Sequence, residues 1–268
     1  MLSSDPAVLP FAATDTSVLL AFVRFGADFG VMAPHRHARG QLLGTGAGLL
    51  AVEGDEGQWV VPPDHAVWVP PHQSQVVRAH GRFSGWSVYI AEGACGTLPD
   101  GPRVMRTSGL LREAVARAAG WGTGPRDSAQ RRIAEVIFDE VRALPAEPFG
   151  LPMPEDARLL RVARGILDDL ADPRGLEAWG EAAAMAPRTL TRRFTAETGF
   201  SLADWRQRAR LMQAMARLAA GDPVNTVALD LGYDNVSAFI AMFRRALGTT
   251  PGRFFTAAGR DASPGPAA

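Results

Sequence analysis

The chain has 268 residues, with 28 basic and 28 acidic side chains, so its formal net charge is zero. Every basic residue is arginine, and 47% apolar residues against 21% charged ones exclude a largely disordered chain. Neutrality does not exclude a nucleic-acid partner. Residues 1–155 carry 13 Arg against 16 acids (−3), whereas residues 156–268 carry 15 Arg against 12 acids (+3).

Cys95 is the single cysteine, so an internal disulfide is excluded and no oxidising compartment is needed. Residues 1–10 lack the basic and apolar regions of a signal peptide, and no run of about 18 apolar residues occurs. We therefore predict a soluble, cytoplasmic protein that has no membrane partner.

The first hundred residues read as short strands, rich in Val, Trp and Phe and separated by Gly or Pro-Pro pairs. The predicted strands are 17–25, 58–61, 66–69, 75–79 and 85–90. The Pro-Pro pairs must lie between strands or at edges, because proline has no N–H to give to a ladder. This pattern predicts an antiparallel β-sandwich or barrel.

Residues 128–144 change to a helical period. Apolar side chains recur every three or four positions with charges between them, at Ile133, Val136, Ile137, Val141 and Leu144. The apolar stripe of this predicted helix must be covered. Two covers remain open, and they are compatible with each other: the outer wall of the β-domain, and a second copy of the chain in a homodimer.

Four prolines at positions 145, 148, 152 and 154 predict an extended linker, because no helix or central strand tolerates that density. The chain then divides into five parts. They are a β-domain at 1–104, a helical dimerisation segment at 105–144, the linker at 145–155, a helical domain at 156–260 and a disordered tail at 261–268.

The helical domain repeats itself at an offset of 49 residues, so that Leu190 matches Phe239, Phe194 matches Phe243 and Gly199 matches Gly248. Each copy reads as a short helix, a tight turn and a second helix, with glycine at a helix end. The predicted helices are 176–184 and 187–199 in one copy, and 226–231 and 237–247 in the other. Two such units joined by a helix at 202–219 indicate helix-turn-helix units.

The spacing and charge of this domain suit DNA. A joining helix of 18 residues spans about 27 Å, comparable with the roughly 34 Å between successive major-groove faces on one side of B-DNA. Residues 188–217 carry seven arginines and two acids, a local charge of +5. The two second helices are therefore spaced to enter adjacent segments of the major groove.

Residues 187–254 resemble the DNA-binding domain of AraC-family transcription regulators. The most specific matches are Leu190, Phe194, Gly199, Trp205, Arg210, Ala228, Gly232, Tyr233, Ser237, Ala238, Phe239, Phe243, Gly248 and Pro251. Upstream, HRHARGQLL from residue 35 and WVVPPDHAVWVPP from residue 59 look like the cupin sensor domain of one branch of the family. The resemblance implies an α+β protein, with a cupin-like antiparallel β-barrel and flanking helices before an all-α DNA-binding domain.

Side chains rotated away from the helical core are the candidates for DNA contact, and the resemblance places Arg188, Thr191 and Arg192 toward base edges. An arginine can pair with guanine O6 and N7, whereas the second copy offers only apolar and hydroxyl contacts. The expected base-reading residues are Arg188, Thr191, Arg192, Val236, Ser237, Ile240 and Ala241. The expected phosphate contacts are Arg193, Asn235, Arg244 and Arg245.

His35 and His37 lie two residues apart, so on a strand they share one face and can share a metal. The cupin site that the chain resembles adds a Glu and a later His, where this chain has Gln41 and Gln75. Two histidines with two neutral amides make a poor divalent-metal site. We expect instead a pocket in which these four residues and Trp68 bind a small organic effector, or else histidines that are merely structural.

The sequence therefore predicts a transcription regulator that binds double-stranded promoter DNA and senses a small molecule. A homodimer is expected, as is RNA polymerase as a partner if the protein activates. One alternative is a cupin-type metalloenzyme with an appended helical domain, but no paired carboxylates lie near the histidines for acid–base chemistry. Another is a DNA binder without regulation, whose contacts would be mostly to phosphate.

Overall fold

A computed structural model describes residues 17–26, 31–122 and 124–258. The fold mixes α and β structure and divides into two compact units. Of the described residues, 17–55 and 59–148 form the first unit, and 56–58 with 149–258 form the second. The predicted features of residues 1–10 and 261–268 lie outside the described residues. None of the helices in these ranges combines the length and apolar character that a bilayer crossing needs.

Two long strands, β3 (Gly40–Gly54) and β6 (Gln75–Ile90), form the centre of the first unit. The shorter strands are β1 (Leu19–Gly26), β2 (Val31–His35), β4 (Gly57–Val61), β5 (His65–Val69) and β7 (Arg103–Arg106). β6 pairs with β1, β2 and β3, β3 also pairs with β4 and β5, and β5 pairs with β7. The strands predicted at 75–79 and 85–90 are one continuous strand, and β3 escaped prediction because its glycines interrupt the alternation.

β3 and β6 bend so sharply that their two halves face each other. Gln41 and Gly54 are 13 positions apart on β3, which is about 43 Å in a straight strand. Gln75 is paired with Gly54, yet its side chain donates to that of Gln41 at 2.6 Å. Register shifts between Thr45 and Leu49 and the left-handed Gly48 (φ 75°) lie at the bend. Side chains on the inner face are thereby enclosed.

Helices α1 (Gly109–Ala119) and α2 (Ser128–Ala143) cover the outer face of the sheet. Ile137 and Val141 of α2 are fully buried, in one apolar cluster with residues of α1 and the sheet. α2 starts at Asp127, whose side chain accepts from the Gln130 backbone N–H in a capping box. The predicted helix is thus observed, and its stripe is covered within the unit, which was one of the two predicted covers.

The second unit is helical apart from β8 (Gly150–Pro152) beside residues 56–58, where the Met153 N–H donates to the Glu56 carbonyl at 3.0 Å. The segment predicted as a linker thus contains a short strand. The helices are α3 (Ala157–Asp168), α4 (Leu176–Ala182), α5 (Pro187–Thr198), α6 (Leu202–Ala219), α7 (Val224–Asp230), α8 (Val236–Leu247) and α9 (Pro251–Ala258).

The internal repeat is visible in the backbone. α4 and α7 have 7 residues each, and α5 and α8 have 12 each. Both of the longer helices end at a left-handed glycine, Gly199 (φ 78°) and Gly248 (φ 72°). The four core residues predicted from the repeat, Leu190, Phe194, Phe239 and Phe243, are all 0% exposed.

Candidate nucleic-acid interface and buried polar cluster

The outward face of α5 carries two unpaired arginines. Leu190 and Phe194 bury one side of the helix, and Arg188 and Arg192 lie on the opposite side at 100° per residue. Both arginines are exposed, and neither has a hydrogen-bond or ion-pair partner among the described residues. Their guanidinium groups are therefore available to a ligand outside the chain.

The flanks of α5 are occupied within the protein. The half-buried Thr191 hydroxyl donates to the Pro187 carbonyl at 3.1 Å. Arg193 pairs with Asp156 at 2.7 Å, and the same aspartate caps α3. The Arg158 backbone N–H and the Arg193 guanidinium hold the pKa of Asp156 below its usual value. The geometry does not support the phosphate contact expected of Arg193, because its guanidinium already joins α5 to α3.

The outward face of α8 forms a shallow groove of about 600 Å³. Its lining contains the predicted base readers Ser237, Ile240 and Ala241, together with Arg244, Arg245 and Thr250. Val236 is half-buried at the first turn. The Asn235 side-chain oxygen caps α8 by accepting from the Ala238 N–H at 2.9 Å, so only its amide nitrogen remains for a phosphate.

The arginines of α6 face the protein. Arg210 donates to the Leu170 carbonyl at 2.9 Å, and Arg217 pairs with Asp222 at 2.7 Å and with Asp230 at 2.9 Å. Arg208 lies 4.2 Å above the Phe200 ring. The local charge of +5 in residues 188–217 therefore does not form one DNA-facing surface. Within residues 188–217, the arginines without a partner in the described part of the chain are Arg188 and Arg192 on the outward face of α5, and α8 adds Arg244 and Arg245.

A polar cluster lies on the inner face of the first unit. The His37 Nδ1 atom is 2.7 Å from the Arg39 carbonyl, and its Nε2 atom is 3.2 Å from the Gln41 Oε1 atom. Gln41 and Gln75 are only 1% and 2% exposed. Burial lowers the pKa of His37, so the neutral ring is favoured. A neutral ring that donates from Nδ1 presents a lone pair at Nε2.

His35 joins this cluster, with its ring centroid 6.0 Å from that of His37. Its Nδ1 atom is 2.9 Å from the Ala33 carbonyl, and its buried Nε2 atom has no partner among the described residues. The Oε1 atom of Gln75 is also buried and unpartnered within that part of the chain. The structure thus brings together four of the five predicted pocket residues and leaves two buried polar atoms unsatisfied.

Trp68 does not belong to the cluster. It is paired with Leu42, the neighbour of Gln41, and successive strand residues point to opposite faces. It is fully buried in the helix-covered cluster, where its Nε1–H donates to the Pro99 carbonyl at 2.8 Å. The aromatic residue that contacts the polar cluster is Tyr89, 5.4 Å from the His37 ring. Period-two alternation along residues 85–90 was the signal that could have found it.

The residues present do not fit the metal centre that the cupin resemblance implies. Two imidazole nitrogens point inward, but the other two positions are neutral amides, and no carboxylate balances a cation's charge. Within residues 17–26, 31–122 and 124–258, no group of three or more His, Cys, Asp or Glu side chains is arranged to hold a metal ion.

Comparison with known proteins identifies the class to which the chain belongs. A family profile described as "Helix-turn-helix domain" matches residues 179–257. The chain is 32% identical over 236 residues to the HTH-type transcriptional regulator NimR of Escherichia coli (strain K12), covering 87% of this chain and 85% of the relative. It is 24% identical over 198 residues to the arabinose operon regulatory protein of Salmonella typhimurium, covering 72% and 68%.

Among solved structures, the DNA-binding domain of AdpA in complex with a target DNA matches at a TM-score of 0.36 and 29% identity. That match covers 39% of this chain and 96% of the domain. The sequence relatives place the protein in the class of helix-turn-helix transcription regulators, which bind DNA. Within that class, the chain belongs to the AraC family.

Proposed function

We propose that this regulator reads two adjacent major-groove segments of promoter DNA with α5 and α8. The observation that carries the proposal is the placement of Arg188, Arg192, Arg244 and Arg245, exposed and unpaired within the described chain, on the outward faces of the two helices. α5 specifies sequence, because an outward arginine can make two hydrogen bonds to guanine. α8 mostly anchors, because its outward face offers only Ser237, Ile240 and Ala241 before two arginines in its last turn that are suited to phosphate.

Footprinting of the full chain on its own upstream DNA, at fixed salt, tests this proposal. We expect two protected segments one helical turn apart. The double variant Arg188→Ala/Arg192→Ala should lose protection of one segment. The matched control Arg161→Ala/Arg164→Ala removes two exposed charges of α3 and should keep both. Protection without discrete boundaries, or equal loss in both variants, would contradict it and favour a DNA binder without regulation.

We also propose that the polar cluster of the first unit, in a cupin-type sensor domain, binds a small organic effector that carries hydrogen-bond donors. The unpartnered His35 Nε2 atom is an acceptor when Nδ1 donates to the Ala33 carbonyl. The unpartnered Gln75 Oε1 atom is an acceptor as well, since the Nε2 atom of the same amide donates to Gln41. A ligand hydroxyl or N–H group would satisfy these buried atoms, whose isolation is unfavourable by about 1–3 kcal/mol each. Tyr89 supplies an apolar wall.

The effector proposal is tested by repeating the footprint with hydroxylated and amine-bearing compounds, and by measuring metal in the purified protein. An active compound should lose its effect in the double variant His35→Ala/His37→Ala, while DNA binding without compound persists. The control His72→Ala/His80→Ala removes two histidines outside the cluster. Stoichiometric metal that the double variant loses would overturn the proposal.

The other two partners, a second copy of the chain and RNA polymerase, are proposed from the resemblance to the family. In a homodimer, the contribution of α2 would come from the stripe residues that stay partly buried within the unit, Ile133, Val136 and Leu144. RNA polymerase is a partner only if the protein activates. The enzyme alternative has no support from the relatives, which are transcription regulators.

A further inference from the structure

The second unit contains a pocket of about 660 Å³ beside α5. Its walls come from α3, α4, α5, α6 and the segments that precede α4 and follow α7. The volume falls within the range of small-molecule sites, roughly 300–1,000 Å³. Its lining combines an apolar part, including Ile166, Leu176 and Leu202, with the guanidinium groups of Arg174, Arg206 and Arg210.

Two residues that line this pocket carry buried donor atoms without an acceptor in the described chain. Trp179 is 3% exposed, and its indole Nε1–H has no partner among the described residues. The Nε–H of Arg206 is buried and likewise unpartnered within those ranges. Both atoms donate and neither accepts. The group that would satisfy them must therefore carry acceptor oxygens.

The charges around the pocket favour an anion. Arg174 is matched by Asp172, to which its Nε atom donates at 2.7 Å. Arg206 and Arg210 share one acceptor, the Leu170 carbonyl, at 3.3 and 2.9 Å. Burial lowers the pKa of Arg206 and the charge of Arg210 lowers it further, whereas the charges of Asp172 and Asp169 oppose this without cancelling it. An anion between these groups would relieve the repulsion and the desolvation together.

We propose that this pocket is a second ligand site, which binds a small organic acid. The carboxylate accepts from the Trp179 indole N–H and the Arg206 guanidinium, and the apolar body packs on Leu176 and Leu202. This site is separate from the polar cluster of the first unit and takes the opposite chemistry. Because Thr191 of α5 also lines the pocket, an occupant contacts the flank of the helix proposed to read DNA. Binding of acid and DNA is then coupled, with the same factor in both directions.

The other source of acceptor oxygens is a DNA phosphate. A phosphate alone would leave the apolar part of a pocket of this size uncovered, so the lining favours the organic acid. The two sources are distinguished by adding acid and DNA separately to the full chain.

The test follows the Trp179 indole ¹H–¹⁵N resonance, assigned with Trp179→Phe, during titration with benzoate and 3-phenylpropanoate. We expect a saturable shift with a Kd below about 5 mM, and none with uncharged 3-phenylpropanamide. The Trp205 indole, which donates to the Pro152 carbonyl at 2.8 Å, is the internal control and should stay unmoved.

Arg206→Gln should weaken binding of the acid by at least about 10-fold, because a charge-assisted hydrogen bond is removed. The matched control Arg164→Gln, on the exposed side of α3, should bind like the parent. Calorimetry with Trp179→Phe, which keeps an aromatic side chain but removes the indole N–H, gives a second measure that does not depend on Arg206 and should show weaker binding.

Absence of a saturable Trp179 shift with either acid overturns the proposal, as does equal binding by the parent and Arg206→Gln. A Trp179 shift that a DNA duplex produces and the acids do not would assign the pocket to a backbone phosphate, and would also overturn it. The acid titrations contain no DNA, so their outcomes do not bear on whether α5 and α8 read DNA.

Discussion

The two helix pairs of the second unit, α4–α5 and α7–α8, share their interior and differ in their surface. Phe194 of α5 meets Trp205 edge-on at 5.6 Å between ring centroids, and Phe243 of α8 meets Phe254 edge-on at 5.8 Å. The outward positions diverge, with Arg188 and Arg192 on one helix and Ser237, Ile240 and Ala241 on the other. The interior is constrained by packing, whereas the outward faces are free to take different roles.

The first prediction tests whether the two interiors are equivalent. Phe194→Ala and Phe243→Ala each leave a cavity at a fully buried site, so each should lower the free energy of unfolding by about 3–5 kcal/mol. Urea unfolding followed by the Trp179 and Trp205 indole resonances measures this. A loss under about 1 kcal/mol for one variant alone would show that the two pairs are not packed alike.

The second prediction separates the roles of the two surfaces. Arg192→Ala should lose about 1–3 kcal/mol of discrimination at one base pair. Arg244→Ala should instead weaken binding to all sequences by the same factor and reduce the slope of log affinity against log salt concentration by about 1. Binding titrations on a set of single-base operator variants at three salt concentrations decide between them. If Arg192→Ala weakened binding to all operator variants equally, the proposal that α5 specifies sequence and α8 anchors would be wrong.

The third prediction concerns how the stability of the first unit depends on pH. All five histidines lie between residues 35 and 80, in the first unit, so the second unit serves as the reference. Burial lowers the pKa of His37, His65 and His80. Below about pH 6.5 the unfolded chain therefore binds protons that the folded chain does not, and stability falls as the pH falls.

The free energy of unfolding should change with pH with a slope of at most about 1.4 kcal/mol per pH unit for each of these histidines. Calorimetry between pH 7 and 5 should show it in the transition of the first unit. His37→Gln should make that slope shallower, and the helix pairs should respond less over this range. An unchanged slope in His37→Gln would contradict the contribution of His37 to the pH dependence of stability.

The fourth and smallest effect concerns the helix ends. Gly199 and Gly248 have left-handed φ angles, and a Cβ atom at either would meet nothing within 4 Å. Gly199→Ala and Gly248→Ala should therefore each destabilise by about 1 kcal/mol through backbone strain alone. Thermal unfolding measures the pair, and Gly122→Ala, in open space without a positive φ, is the control. A much larger loss at one site would reveal a packing difference between the repeats.

Local sequence pattern was sufficient to predict many of the helices and core positions of the second unit. α6 has the bounds predicted for it, and the offset of 49 residues correctly placed the core of both pairs. Helical period, proline at a first position and glycine at an end are local properties, so they can be read from neighbouring residues. In the first unit the same reading split β6 and missed β3, because glycines at a bend resemble glycines at a turn.

For the candidate site residues, local sequence pattern gave less. The sequence alone determined that Arg188 and Arg192 point away from the core, and that His35 and His37 are accompanied by Gln41 and Gln75 in place of a carboxylate and a histidine. Only the tertiary structure decided that Arg193 is held by Asp156 and that Arg210 is held by the Leu170 carbonyl. It alone decided that Trp68 lies on the helix-covered face of the sheet. The reason is that the hydrogen-bond partners of these three side chains are 37, 40 and 31 residues away along the chain, so no local periodicity encodes them.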